Sequence, residues 1–257
     1  MTGPDTDSGA GVRHEVRISR SRQRRIGLAL AALIMSSWLL IHVGGIFGWE
    51  LRARDWPLVL LAVAVQTWLS TGLFILAHDA MHGALVPGRP RLNRGIGSVC
   101  LMLYAGLSYR ELAPKHAAHH RHVGSADDPD FHAPDPVRAG PWFLAFFRSY
   151  YTHAQVLRIT AAATVYMLLG ASLLNIAVFW AVPALLALGQ LFLFGTYLPH
   201  RHDGRAFADA HRARSTAFSP LASLLTCFHF GGYHHEHHLS PATPWWRLPA
   251  VRRERAA

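Results

Sequence analysis

Charge is scarce in this 257-residue chain: Asp, Glu, Lys and Arg together make up 16% of it, against about 25% in ordinary soluble domains. Lysine is reduced to Lys115 alone. Cysteine is limited to Cys100 and Cys227, too few for a disulfide framework, which excludes a disulfide-stapled secreted fold. There is no Gly-rich dinucleotide fingerprint and no Cys-rich cluster motif, so any electrons the chain uses must come from another protein. What the chain has in excess is apolar residues, 51% of the total, gathered into long uncharged runs with the charges between them. That pattern excludes an intrinsically disordered chain and argues against a water-soluble globule.

Residues 26–47 carry no acidic or basic side chain except the titratable His42, and residues 56–77 carry none. Each run would be about 33 Å long as helix, enough for a hydrocarbon core of about 30 Å. Residues 159–198 are free of charge and histidine and overshoot one crossing about two-fold, so two spans with a turn near 170–175 are expected. The shorter run 96–107 reads as interfacial or re-entrant. The first run is too long for a signal-peptide core and is read as a retained helix. The expected fold is an all-α integral membrane protein: four transmembrane helices in two hairpins under a His-rich di-metal cap, spanning residues 26–257 behind a basic, disordered tail over 1–25.

Four spans place both termini and residues 79–158 on one side. Six basic residues lie in the tail, nine between Arg89 and Arg158 and eight from Arg201 onward, leaving only Arg52 and Arg54 opposite. The positive-inside rule makes the rich side cytoplasmic, in a bacterium the cytoplasmic face of the inner membrane. Topology and contact with anionic lipid then account for the net charge of +10, and no nucleic-acid partner is needed.

Eighteen histidines are the outlying count. His78 and His82 are spaced i, i+4 directly after the second run, on one helix face. His116, His119 and His120 converge on one face by i, i+3 and i+4. His234, His237 and His238 repeat that geometry, while His235 falls off the face. His200 and His202 follow the last run at the same depth and supply one or two more ring nitrogens. Eight or nine converging imidazoles are too many for one ion, since zinc takes four ligands, so two metals with four or five rings each are expected. Imidazole suits several elements and does not name one. The string HDAMH lacks the glutamate base of the HExxH zinc peptidases.

The strings FILAHDAMHG (74–83), HHRHVGSADDPDF (119–131), FGTYLPHRH (194–202), FADAHRARS (207–215), LLTCFHF (224–230) and PWWRLP (244–249) carry a resemblance. Together with the HxxxH and the two HxxHH patterns they resemble the membrane desaturase and hydroxylase superfamily, and more narrowly the bacterial β-carotene ketolases. The resemblance runs from the first span almost to the C-terminus.

It implies a di-iron oxygenase that converts the ring C4 methylene of β-carotene or a hydroxylated derivative to a ketone, using dioxygen. Two hydroxylations at one carbon give a geminal diol that loses water. The implied ligands are His78, His82, His116, His119, His120, His234, His237 and His238, with His200 as the ninth and His202 as its competitor. Zinc is a conceivable substitute for iron in the same ligand set. A ferredoxin-type donor is implied, docking on the basic face. Asp79, Asp128 and Glu236 are candidate carboxylate partners for the ligating rings, and the 127–130 acids serve equally well as a turn or helix cap. Aromatic residues 142–151 read as an interfacial helix or as the lining of a polyene channel. Leu101 and Leu103 are the candidate channel wall.

Competing readings are a carotenoid ring hydroxylase or acyl-lipid desaturase of the same superfamily, and a His-rich metal transporter. Transporters hold their ligands near the bilayer midplane on broken helices, whereas every cluster here follows the end of an apolar run.

Overall fold

The computed structural model describes residues 18–256, and among these every regular element is helical. The first, α1 (Arg20–Gly48), begins where the Ser19 hydroxyl accepts the Arg22 N–H at 3.3 Å. The helix therefore starts six residues before the apolar run and takes Arg20, Arg22, Arg24 and Arg25 into its first turns. The expected tail boundary at residue 25 moves back accordingly. Residues 1–17, where most of that tail lies, fall outside the described residues.

A seven-residue connection that includes a 3-10 turn, Ala53–Asp55, leads to α2 (Trp56–Met81), which opens on Pro57, a residue suited to a first turn whose N–H needs no partner. The few polar residues of these apolar helices join them to their neighbours. The Trp38 indole donates to Ser70 Oγ at 2.9 Å, Gln66 donates to the Trp38 carbonyl at 3.3 Å, and Thr71 donates to Gln190 at 2.6 Å. After α2 the chain doubles under α1 so closely that a Cβ on Gly27 would lie 2.1 Å from the Leu85 carbonyl oxygen. Only glycine permits that approach.

The run expected to be interfacial or re-entrant belongs to a regular helix, α3 (Pro90–Ala105), laid along α2 and closed by Gly106 at φ +63°. Then follow α4 (Tyr109–His122) and α5 (Ala139–Tyr150). Next comes α6 (His153–Leu168), whose Gln155 and Arg158 donate to the carbonyls of Ala105 and Gly106 at 2.9 and 2.7 Å. The long uncharged run breaks after α6, with Gly170 at φ +94° and Ser172 capping the next helix. That helix, α7 (Leu173–His200), contains two widened π-helical stretches, Ala177–Ala181 and Phe192–Tyr197. Each ends just before a proline, Pro183 and Pro199, which cannot donate the i→i−4 bond.

Three helices, Arg20–Gly48, Ala53–Met81 and Leu173–His200, are long and apolar enough to cross a membrane. The expected fourth, α6, has 16 residues and spans about 24 Å. The break at Gly170 leaves it a short apolar stretch, and it gains length only by reaching back through Arg158. Still, α6 packs beside α1, where Tyr166 OH meets His42 Nε2 at 3.1 Å. Large aliphatic side chains point outward, with Leu40 76% and Leu168 82% exposed. In water such a surface would aggregate; in lipid it is the expected exterior.

The remaining helices, α8 (Pro220–Cys227), α9 (His234–Leu239) and α10 (Leu248–Ala256), lie with α4 around the C-terminal ends of α2 and α7.

Candidate metal centre and its cavity

Four elements deliver the imidazoles. The last turn of α2 carries His78 and caps at His82, α4 presents three rings, α7 ends on His200, and α9 presents three more. Placing α9 there requires a sharp reversal after α8. Phe228 and His229 both adopt positive φ, at 47° and 72°, and Gly232 packs where a Cβ would sit 2.2 Å from Ser223 Oγ.

The nine rings fall into two groups. His78, His82, His116, His120 and His237 bring their ring nitrogens within 4.8 Å of one another, and so do His119, His200, His234 and His238. Contacts between Nε2 atoms are close: 2.7 Å for His82–His116, 3.1 Å for His120–His237, 2.9 Å for His200–His234 and 3.0 Å for His234–His238.

The proton inventory of the four-ring group shows why these contacts suit a cation. His200 Nδ1 lies 2.8 Å from the Arg212 carbonyl, which can only accept, so Nδ1 carries the hydrogen and Nε2 presents a lone pair. His119 Nδ1 is committed likewise to Asp128 Oδ1 at 2.9 Å. His234 Nε2 faces the Nε2 atoms of both His200 and His238, and one hydrogen cannot satisfy both contacts. A shared cation relieves this crowding of lone pairs. Burial favours the same state: it holds His116, His234, His237 and His238 well below the usual imidazole range and His82 at about 4. Neutral rings are what metal binding requires. His119 is the exception; burial lowers it, but the carboxylates of Asp130 and Asp128 outweigh burial and raise it.

The other expected residues separate by position. His202 joins neither group and instead packs between Phe131 and Phe207, with ring centroids 4.9 and 5.2 Å away. Asp128 accepts from His119 and from the N–H groups of Gly124 and Asp130, so the 127–130 acids form both a turn and a ring partner. Asp79 stays 3.8 Å from His78 Nδ1 and accepts the Trp245 N–H at 3.1 Å, fastening the C-terminal segment to α2. Glu236 turns away from the rings, accepting from Arg252 at 2.6 Å and Ser215 at 2.5 Å. Sequence reasoning missed the Arg212 carbonyl, for which no side-chain pattern exists. Asp130, read from sequence with its neighbours as part of a turn or helix cap, accepts from Tyr150 OH and lies 3.7 Å from His119 Nδ1.

A cavity of about 530 Å³ starts at both imidazole groups and extends along α7. Its walls include Phe74, Tyr104, Phe146, Ile159, Ala163 and Trp180. Tyr104 OH donates to the Ala184 carbonyl and the Trp180 indole to that of Leu103, at 3.2 Å each. Their polar tips are thereby satisfied and the ring faces left to form an apolar wall. Lining residues Val156 on α6 and Leu185 on α7 are among the exposed large apolar side chains. Of the aromatic run, Phe146, Phe147, Tyr150 and Tyr151 line the cavity, while Trp142 is buried against Phe131. Leu101 is fully buried and Leu103 partly so, and neither lines the cavity; that role falls to Tyr104 and Ala105 at the end of α3 and to Leu107 just beyond it.

Comparison with known proteins agrees with this architecture. The chain matches the fatty acid desaturase family over residues 54–163 and 147–257. It is 50% identical over 226 residues to a β-carotene ketolase of Paracoccus sp. (strain N81106 / MBIC 01143), covering 88% of this chain and 91% of that one. A β-carotene ketolase of Haematococcus lacustris is 39% identical over 231 residues, 88% of this chain and 67% of that one. A zeaxanthin 4-ketolase of Chlamydomonas reinhardtii is 37% identical over 238 residues, 88% of this chain and 53% of that one. The chain therefore belongs to the β-carotene ketolases of the fatty acid desaturase family.

Proposed function

We propose that this protein oxidises the ring C4 methylene of β-carotene, or of a hydroxylated derivative, to a ketone at a di-iron centre. The observation that carries the reading is the apolar cavity that ends on seven of the nine grouped imidazoles, within a chain 50% identical to a β-carotene ketolase. His78, His82, His116, His120 and His237 hold one iron; His119, His200, His234 and His238 hold the other. Bound there, the irons supply the activated dioxygen that a C–H bond too weakly acidic for any side-chain base requires. Asp128 fixes the tautomer and orientation of the His119 ring. Phe74, Tyr104 and Trp180 exclude water and hold the hydrocarbon along their faces.

Substrate physics supports lateral entry. β-Carotene is a rigid hydrocarbon about as long as a bilayer is thick, and its apolar area, at about 25 cal/mol per Å², holds it in lipid. A site open only to water would meet almost none. Expression in a β-carotene-producing host is the test: the pigment should gain, at each modified ring, one oxygen and lose two hydrogens by mass. A gain of oxygen without that loss would indicate a ring hydroxylase; loss of hydrogen alone, a desaturase.

Crossing by α6 as a fourth, shorter span places both termini and the imidazole groups on the cytoplasmic side of the inner membrane. That follows from 23 of the 25 basic residues falling on one side. The same basic face suits an acidic one-electron donor of the ferredoxin type. A reporter fused at Ala257 is expected to behave as cytoplasmic, and one inserted between residues 48 and 55 as external. The reverse pattern would sink this topology.

A further inference from the structure

Some polar side chains on the cavity wall have their polar ends turned to backbone. Tyr104 donates to Ala184, and Gln155 donates to Ala105. Tyr150 and Asp130 differ: both line the cavity, Tyr150 OH donates to the Asp130 carboxylate, and that carboxylate sits 3.7 Å from His119 Nδ1. The Tyr150 ring is held from another side by the Lys115 ammonium, 5.1 Å from its centroid. The backbone that carries Asp130 is pinned as well, with the Trp142 indole donating to the Asp130 carbonyl at 2.7 Å and Ser149 to that of Pro129 at 3.1 Å. The result is a rigid polar pair at the metal end of an otherwise apolar cavity, its phenolic oxygen and carboxylate still able to accept another hydrogen bond.

A hydrocarbon ring has no use for such a pair, but the half-oxidised ring does. In the first step the ring methylene and dioxygen, with two electrons from a one-electron carrier protein and two protons, give the ring alcohol and water. The second step repeats that stoichiometry on the remaining C–H bond and gives the geminal diol and water. The diol then breaks one C–O bond, expels water and becomes the ketone. Between the steps the alcohol must stay, with its last C–H directed at the same metals. A hydroxyl left without a partner among Phe74, Tyr104 and Trp180 would favour release into lipid.

Resting on the ketolase reading, we infer that Tyr150 and Asp130 form a binding subsite for the ring alcohol, retaining it so that the second oxidation follows the first. Tyr150 thereby determines whether the enzyme delivers ketone or alcohol.

The test compares Tyr150→Phe with the parent in two measurements. Iron-loaded protein, kept anaerobic and without donor, binds ligand without turnover. There Tyr150→Phe is expected to weaken the β-carotene C4 alcohol about fivefold while leaving β-carotene within about twofold. With dioxygen and a reducing system restored, the alcohol should accumulate as the main product of Tyr150→Phe, whereas the parent yields ketone. Tyr150→Gln, which keeps a donor and an acceptor at this position, should recover ketone. Equal weakening of both ligands overturns the inference, as does the parent's product ratio in fully iron-loaded Tyr150→Phe. Failure of both variants to load iron overturns it too, by assigning Tyr150 to clamping the 127–131 loop. A parent that makes no ketone removes the ketolase reading itself, a result distinct from all of these.

Discussion

Replacing His119 or His237 with Ala should reduce turnover by more than about a hundredfold, since each ring belongs to an imidazole group and even outer partners of such rings are worth 10–100-fold. Iron content should fall in both, and further in His119→Ala. His119 belongs to the smaller group, four rings against five, so its loss leaves three. It also strands Asp128, a carboxylate only 3% exposed that has His119 as its ring partner. His202→Ala provides the contrast. Its ring joins neither group, and the variant should keep parental iron and most of its activity. Elemental analysis decides the matter: a fully active chain with one metal would overturn the division into two sites, and iron loss in His202→Ala would return that residue to the ligand set.

Ala163→Phe should lower ketone formation at least about tenfold at unchanged iron content, because added bulk in a filled apolar site costs about 1–3 kcal/mol. Ala163 lies on α6 and lines the cavity away from the imidazoles, so the larger ring occupies space the polyene needs. Leu168→Phe, on the same helix but 82% exposed, should change neither quantity. Product yield and iron content measured on the same preparations separate blockage from misfolding. If yield and iron fall together in Ala163→Phe, the cavity is scaffold and the substrate reaches the metals by another path. Leu101, the residue that sequence alone suggests for such a test, would mislead: it is packed inside, so Arg there would unfold α3 against α2.

How far each feature was legible depends on the length scale of its cause. Helix spacing is local, and i, i+3, i+4 patterns in α2, α4 and α9 were enough to predict which of three successive histidines share a face. His235 illustrates it, facing out to Asp209 at 2.9 Å while its neighbours turn in. Hydropathy is local as well, so the long apolar runs and the break near Gly170 could be read directly. The Paracoccus and Haematococcus relatives then agree with the family that the intervening strings suggested.

Residue order by itself thus determined the helical, apolar class of this chain, the family and eight of the nine grouped rings. Tertiary structure alone decided how those rings divide, since a five-and-four partition depends on where α4 and α9 meet the ends of α2 and α7. It brought His200 and not His202 into the four-ring group, because His200 completes the last turn of α7 while His202, two residues on, leaves the helix and packs among aromatic rings. It turned Glu236 to Arg252, an ion pair formed across 16 residues that no spacing rule anticipates. It also moved the cavity wall from Leu101 to Tyr104, as the rotation of α3 about its own axis is set by what α2 and α7 leave room for. Periodicity specifies which residues share a face; only packing of the faces specifies what each one touches.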